Sequence, residues 1–214
     1  MPTIKVALEV FDKFIGIGKE LAKLPALVLP QYQMAAVDLY KISQKLLASN
    51  ENLSKWLHKF LYFDFKEAGA GGRFLALLTE YRSMKSGPQL QQLKFSCGDI
   101  SAIYHRDIAS KLGRWFSDQS KLEEVEGMFE TLANADSDMV AFTYDNVLAR
   151  LDDFVAKTEK SLERGSADEA EETRLRFKSE MRDVVERLEW FGGEIADLVL
   201  RFAAAARVPV TLAS

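Results

Sequence analysis

Apolar residues recur every three or four positions along most of this chain, and no stretch alternates apolar with polar residues between turn signals. The pattern predicts helices and no strand. It is most regular in the last third. Val140, Tyr144, Val147, Leu151, Phe154 and Thr158 step by 4, 3, 4, 3 and 4 residues. After Gly165, the series Phe177, Met181, Val184, Leu188, Phe191, Ile195, Leu198 and Phe202 repeats the same steps. Two heptad stripes joined by a Gly-Ser turn predict a long antiparallel helical hairpin with coiled-coil-like packing. Ser166 and Glu169 supply a capping box for its second helix. Folding the chain about Gly165 sets Phe154 beside Phe177, Leu151 beside Met181, Val147 beside Val184, Tyr144 beside Leu188 and Val140 beside Phe191. In that register Asp152 faces Lys178.

The second helix of the hairpin is the longer. At about 1.5 Å per residue, residues 138–164 reach roughly 40 Å and residues 167–206 roughly 60 Å. The overhang must bury Ile195, Leu198, Val199 and Phe202 against the N-terminal helices. Gly192-Gly193 falls where the shorter helix begins, so the long helix either bends there or admits another backbone closely.

Upstream, chain chemistry sets the helix ends. Thr3 opens a helix carrying Val6, Val10, Phe14, Ile17, Leu21 and Leu24 on one stripe, stopped by Pro25. A second helix runs from about Pro30 to Ala48, and Ser49-Asn50 offers the cap of a third through Trp56 and Phe60. Gly69, Gly71 and Gly72 interrupt before a helix over Arg73 to Lys85, and Gly87-Pro88 marks a turn. Ser96 with Asp99 opens a helix to Phe116, and Ser120 with Glu123 opens a short one to about Ala133. The expectation is an all-α bundle of seven or eight helices. Composition agrees: Leu and Ala number 51 against 21 Val and Ile, and the 120 residues from Gln89 to Val208 hold no proline. The chain reads as one composite domain over 1–214, with a basic bundle in 1–117 and an acidic-to-neutral hairpin in 118–214 packed on it. A boundary near Ser117 is the alternative.

Charge sharpens that division. Residues 1–117 carry 16 basic and 10 acidic side chains, residues 118–172 carry 5 and 16, and residues 173–214 carry 7 and 6. The first two blocks can attract each other within the fold. An anionic membrane surface is a possible partner of the basic half, with Lys5, Lys13, Lys19 and Lys23 on the first helix. Nucleic acid is not the expected partner, because the basic excess is modest and Lys/Arg runs are absent. The 214 residues are 48% apolar, which excludes a disordered tail, and the lone Cys97 excludes an internal disulfide. No apolar N-terminal leader or membrane span is apparent, and a cytoplasmic location is the expectation.

Motifs for chemistry are sparse. His105-Arg106-Asp107 spells the start of a kinase catalytic loop, but Leu112 stands where that motif needs Asn. Gly69-Ala70-Gly71-Gly72-Arg73 lacks the Lys-Ser/Thr of a phosphate loop. His58, His105 and Cys97 are not at metal-ligand spacing, and neither His follows a Glu by three residues. No catalytic, cofactor-binding or metal-ligating residue is assigned, and no cofactor is expected. One segment stands out. In Trp56-Leu57-His58-Lys59-Phe60-Leu61-Tyr62-Phe63-Asp64-Phe65 the first apolar set, Trp56, Phe60 and Phe63, fills one helical face. Leu57, Leu61 and Phe65 lie on another, which a single neighbour cannot cover. These three, rimmed by Lys55 and Lys59, are the candidate contact surface for a protein partner or a second copy of the chain. The functional expectation is a non-catalytic interaction or regulatory bundle. A membrane-active bundle, or an enzyme or ligand sensor with a pocket between helices, is the alternative.

Overall fold

The computed structural model describes residues 33–85 and 137–209, with positions 12, 15, 16, 18–20, 22 and 23 and positions 118–120, 122 and 123. The described part is all-α. Its long helices are α1, Gln33–Leu61; α2, Ala70–Lys85; α3, Ser137–Glu163; and α4, Ala167–Ala206. Most described positions between 12 and 23 are also helical. The turn at Gly87-Pro88, the helix from Ser96 to Phe116, and Cys97 and His105 lie outside the described residues.

Helix α1 runs unbroken through Ser49-Asn50, where a helix boundary was expected. Residues 31–68 contain no glycine or proline to force a break. Asn50 does not cap its own chain. Its amide is buried and donates to the Leu188 carbonyl of α4 at 2.9 Å. Helix α2 also starts earlier than expected, at Ala70, with Gly71 and Gly72 inside its first turn. Only Gly69 of that segment needs a left-handed backbone, at φ 76°. Near 120 the order shifts likewise: Asp118 accepts the Ser120 N–H at 3.0 Å, so helical residues begin at 119.

The end of α3 shows why Gly165 matters. The Ser166 N–H reaches the Ser161 carbonyl at 3.0 Å and the Gly165 N–H reaches that of Leu162 at 2.9 Å. This is the Schellman pattern, with Gly165 at φ 73°. Ser166 then caps α4, its hydroxyl accepting the Glu169 N–H at 3.3 Å. Helix α4 ends in the same pattern on Val208 and Arg207, but the left-handed residue is Arg207 at φ 57°.

Three side-chain-to-carbonyl bonds align α1 with α4 in opposite directions. Arg174 of α4 donates to the Leu61 carbonyl, Asn50 to that of Leu188, and Gln33 to that of Ala206 at 3.2 Å. They fall at one end, the middle and the other end of the contact. The apolar stripe of α4 is buried from Phe177 to Phe202, including Ile195, Leu198 and Val199. From α3, Phe154 stacks on Phe177 with centroids 4.5 Å apart, and Val147 and Leu151 are buried. The pairing of Asp152 with Lys178 is not formed. Helix α2 covers that flank, so Asp152 takes Tyr81 and Lys85, while Lys178 lies 4.1 Å from the centre of the Tyr62 ring.

The N-terminal helical segment lies along α4. Asp12 pairs with Arg187 and Lys19 with Glu194, so both chains advance seven residues in the same direction. Ile15 enters the core. Gly18 sits so close to α4 that a Cβ there would stand 2.5 Å from Leu198 Cδ1.

Candidate functional site

The aromatic segment at the end of α1 was the expected contact surface, and the structure turns it inward. Leu57 is 0%, Leu61 3% and Phe65 2% exposed. The expectation that at least one of them faces solvent is corrected. A single neighbour cannot cover both faces, but this segment has three. From α2 come Phe74 and Tyr81, whose rings lie 6.0 and 5.4 Å from Phe60; from α3 comes Phe154 at 6.0 Å. Helix α4 packs along the remaining side. The chain past Leu61 leaves the helix and folds Phe65 back onto Phe74, with ring centres 5.2 Å apart. Burying an aromatic or leucine side chain stabilises by about 1.5–3 kcal/mol, which accounts for this inward collapse without a partner. Of the two rim lysines, Lys55 is exposed, whereas Lys59 is committed inside the chain, 4.5 Å from the Trp56 ring centre and 2.9 Å from Glu80.

The polar groups that the fold brings together are ties between helices. Tyr81 is buried and donates its hydroxyl to Asp152 at 3.0 Å, and Lys85 pairs with the other oxygen of that carboxylate. Burial, with the Asp152 charge and hydrogen bond acting in the same direction, raises the Tyr81 pKa far above the ordinary phenol value. This tyrosine holds its proton, which suits a clamp between α2 and α3 and not a base. Arg82 reaches Glu159, two turns further along α3, at 3.0 Å. Both pairs join the basic N-terminal block to the acidic one, the attraction that their charges imply.

A second tie closes the end of α1. The Arg174 guanidinium donates to the Leu61 carbonyl at 2.5 Å and to both Glu171 oxygens at 2.6 and 2.9 Å. It satisfies a carbonyl that the helix end leaves unpaired, and its charge faces the negative end of the helix dipole. The hydrogen bond from Arg174 holds the Glu171 carboxyl below its ordinary pKa.

His58 is likewise occupied. Its Nδ1 lies 2.8 Å from the Ser54 carbonyl and its Nε2 3.1 Å from Glu189, so both ring nitrogens are engaged. Among the described residues no group of three His, Cys, Asp or Glu side chains is placed to hold a metal ion. Nor is any described helix long and apolar enough to cross a membrane.

No protein-family model, curated protein or solved structure matches this chain.

Among the described residues the exposed large apolar side chains are Met34 on α1, Tyr62 just past its end, Leu75 on α2, and three on one helix, α4. Leu175, Trp190 and Leu200 are 53%, 39% and 45% exposed. At about 100° per residue they fall within about 80° of one another, on the side of α4 opposite its buried stripe. Arg187 lies over the Trp190 ring at 4.2 Å. The signal was present in the sequence as large apolar residues off the heptad stripe, but the denser aromatic segment drew the prediction elsewhere.

Proposed function

We propose that this chain is a non-catalytic helical interaction protein, and that its contact face is the outward side of α4. The observation that supports the reading is the placement of Leu175, Trp190 and Leu200 on the outer face of a helix whose inner face is fully packed. Large apolar side chains that the chain's own core does not use are the raw material of interfaces, and tryptophan and arginine are enriched among the residues that dominate them. A second copy of the chain is the partner this face suits first, since one helix presented by two copies makes a self-complementary contact.

The reading extends to architecture and location. The whole chain forms one composite domain of seven or eight helices in the cytoplasm. Helices α3 and α4 form its long antiparallel hairpin with coiled-coil-like packing; the Gly165 turn and the stack of Phe154 on Phe177 support this. A membrane-surface role for the first helix is the weaker reading, because Ile15 is buried and Lys19 and Lys23 are engaged with Glu194 and Glu20.

Sedimentation equilibrium tests the proposal on the full chain and on the triple variant Leu175→Glu, Trp190→Glu, Leu200→Glu, with circular dichroism to confirm an intact fold. Self-association that rises with concentration and disappears in the variant is expected. A wild-type chain that stays monomeric throughout, or a variant that associates equally well, refutes the assignment of this face.

A further inference from the structure

The outward side of α4 carries the same short pattern twice. Glu172-x-x-Leu175-Arg176 and Asp197-x-x-Leu200-Arg201 each place an acid three residues before an exposed leucine and an arginine directly after it. The two leucines are 25 residues apart in sequence, which at about 100° per residue is seven turns less about 20°, so both patterns face the same way. In each, the acid and the arginine stand about 60° and about 100° round the helix from their leucine, on the same side of it. Glu172 and Arg176 are exposed, and Asp197 and Arg201 join each other at 2.7 Å at the surface. Neither pattern serves the chain's own core, which takes Phe177, Leu198 and Phe202 from the opposite side of the helix.

Chain direction decides how two such helices can meet. In a parallel pairing, in register or shifted from one pattern to the next, acid lies beside acid and arginine beside arginine, which is destabilising. An antiparallel pairing reverses the order, so acid meets base. With Leu175 level with Leu200 of a second copy, Glu172 lies within about 3 Å along the axis of that copy's Arg201, and Arg176 within about 3 Å of its Asp197. Two-fold symmetry repeats both matches at the other end of a contact about 37 Å long. The symmetry axis passes between Arg187 and Leu188, so Trp190 falls inside the contact. Antiparallel pairing of one pattern with itself would leave the other leucine uncovered. Near the axis the two Glu186 side chains approach each other, a repulsion that the matched ends must exceed.

We propose that two copies of the chain associate through antiparallel α4 helices, in the one register that sets Leu175 against Leu200 and each charged pair against its opposite. The inference rests on the contact face proposed above and adds the orientation and register of its partner.

Charge-swapped variants of the full chain test the register in sedimentation equilibrium. One carries Glu172→Arg with Arg176→Glu, the other Asp197→Arg with Arg201→Glu, and circular dichroism checks that each is folded. Either variant alone sets like charges together at both ends, so its self-association should weaken about tenfold or more relative to the wild type. An equimolar mixture of the two should regain the wild-type affinity, because each reversed pair then faces a reversed pair and each native pair a native one. In no parallel pairing, nor in pairing of a pattern with itself, does either variant lose affinity that the mixture restores. A wild type that stays monomeric refutes the contact face itself. A wild type that associates, with variants that associate equally well or a mixture that does not recover, leaves the face standing and overturns the register. Should a variant lose its fold, disulfide capture in a Cys97→Ser background serves instead. Chains with Leu175→Cys and chains with Leu200→Cys should cross-link with each other and not with themselves, and the reverse result overturns the register.

Discussion

Replacing Gly192 and Gly193 by alanine, one at a time, separates helix propensity from packing at two neighbouring positions. Both substitutions gain the same propensity term, about 0.5–1 kcal/mol in a helix interior. At Gly193 the new methyl group enters open space, so that gain is the whole effect and the variant is the more stable protein. At Gly192 the methyl would stand 2.8 Å from the Asn50 amide nitrogen, which is itself buried and donates to the Leu188 carbonyl at 2.9 Å. Asparagine is short and sits mid-helix, so the amide cannot move aside and keep that bond. A buried donor left unsatisfied costs about 1–3 kcal/mol. Gly192→Ala should therefore lie about 1–3 kcal/mol below Gly193→Ala. For a chain of this size that is roughly 2–12 °C in Tm. Thermal and urea unfolding followed by circular dichroism give both values. Asn50→Ala in the Gly192→Ala background supplies the control: the penalty of the methyl group should largely vanish once its neighbour is gone. If Gly192→Ala stabilises as much as Gly193→Ala, the close approach of Asn50 to α4 is wrong, and with it the role given to Asn50.

Other outcomes follow from single contacts. Arg207→Gly should stabilise by about 0.5–1 kcal/mol in urea unfolding, because Arg207 occupies the left-handed position of a Schellman cap at φ 57° and nothing in that geometry requires a side chain. Gly165→Ala should destabilise by about 1 kcal/mol in the same assay, since the φ of 73° strains any residue with a Cβ whatever the space around it. Tyr81→Phe should cost about 1 kcal/mol, as Asp152 loses the phenol but keeps Lys85. Arg174→Ala should cost about 1–2 kcal/mol at neutral pH, and part of that cost depends on pH. The Glu171 carboxyl is held below its reference pKa of 4.5, so its ionised form favours the folded chain above that value and the contribution fades as pH falls below it. Stability curves of the wild type and Arg174→Ala should converge as pH falls below 4.5; parallel curves would show that the pair does not set this titration.

The parts of the fold that were legible in the sequence are those where one residue's own position carries the information. A seven-residue apolar repeat states which side of a helix is buried, so the inner face of α4 from Phe177 to Phe202 and the burial of Val147 and Leu151 could be read directly. Ser166 and Gly165 act within a few residues of themselves, and their cap and turn were equally readable. The failures share a cause. Ser-Asn before an apolar run is the chemistry of an N-cap, and nothing local distinguishes an asparagine that caps its own helix from Asn50, which reaches a carbonyl 138 residues away. Asp152 opposite Lys178 is sound geometry for two helices, and it fails because a third, α2, brings Tyr81 and Lys85 to the same carboxylate. The inward turn of Leu57, Leu61 and Phe65 has the same origin, since the number of neighbours around a segment is not a property of that segment.

Three of the contacts that fix the arrangement join a side chain to a backbone carbonyl: Arg174 to Leu61, Asn50 to Leu188 and Gln33 to Ala206. A carbonyl is present at every residue, so the acceptor leaves no trace in the amino-acid order, and only the donor can be seen. Complementary pairs of side chains, by contrast, can be proposed from sequence and then tested. This asymmetry sets where the register of α1 against α4 is encoded. The apolar stripe brings the two helices together but tolerates a shift of one turn, because leucine, phenylalanine and valine recur along both. The three donors do not tolerate it. A shift of one turn would move the Asn50 amide away from Gly192, the one packed position of the pair where the missing Cβ makes room for it. Apolar burial therefore supplies most of the stability of the α1–α4 contact, and three polar side chains select one register among several that the apolar surface alone would accept. Asn50→Leu is the variant that divides the two roles. It removes the amide that marks the register while adding apolar volume, so a chain that still melts cooperatively but shows broadened or doubled amide signals along α1 is the expected result. A single sharp set of signals would assign register to the apolar stripe instead.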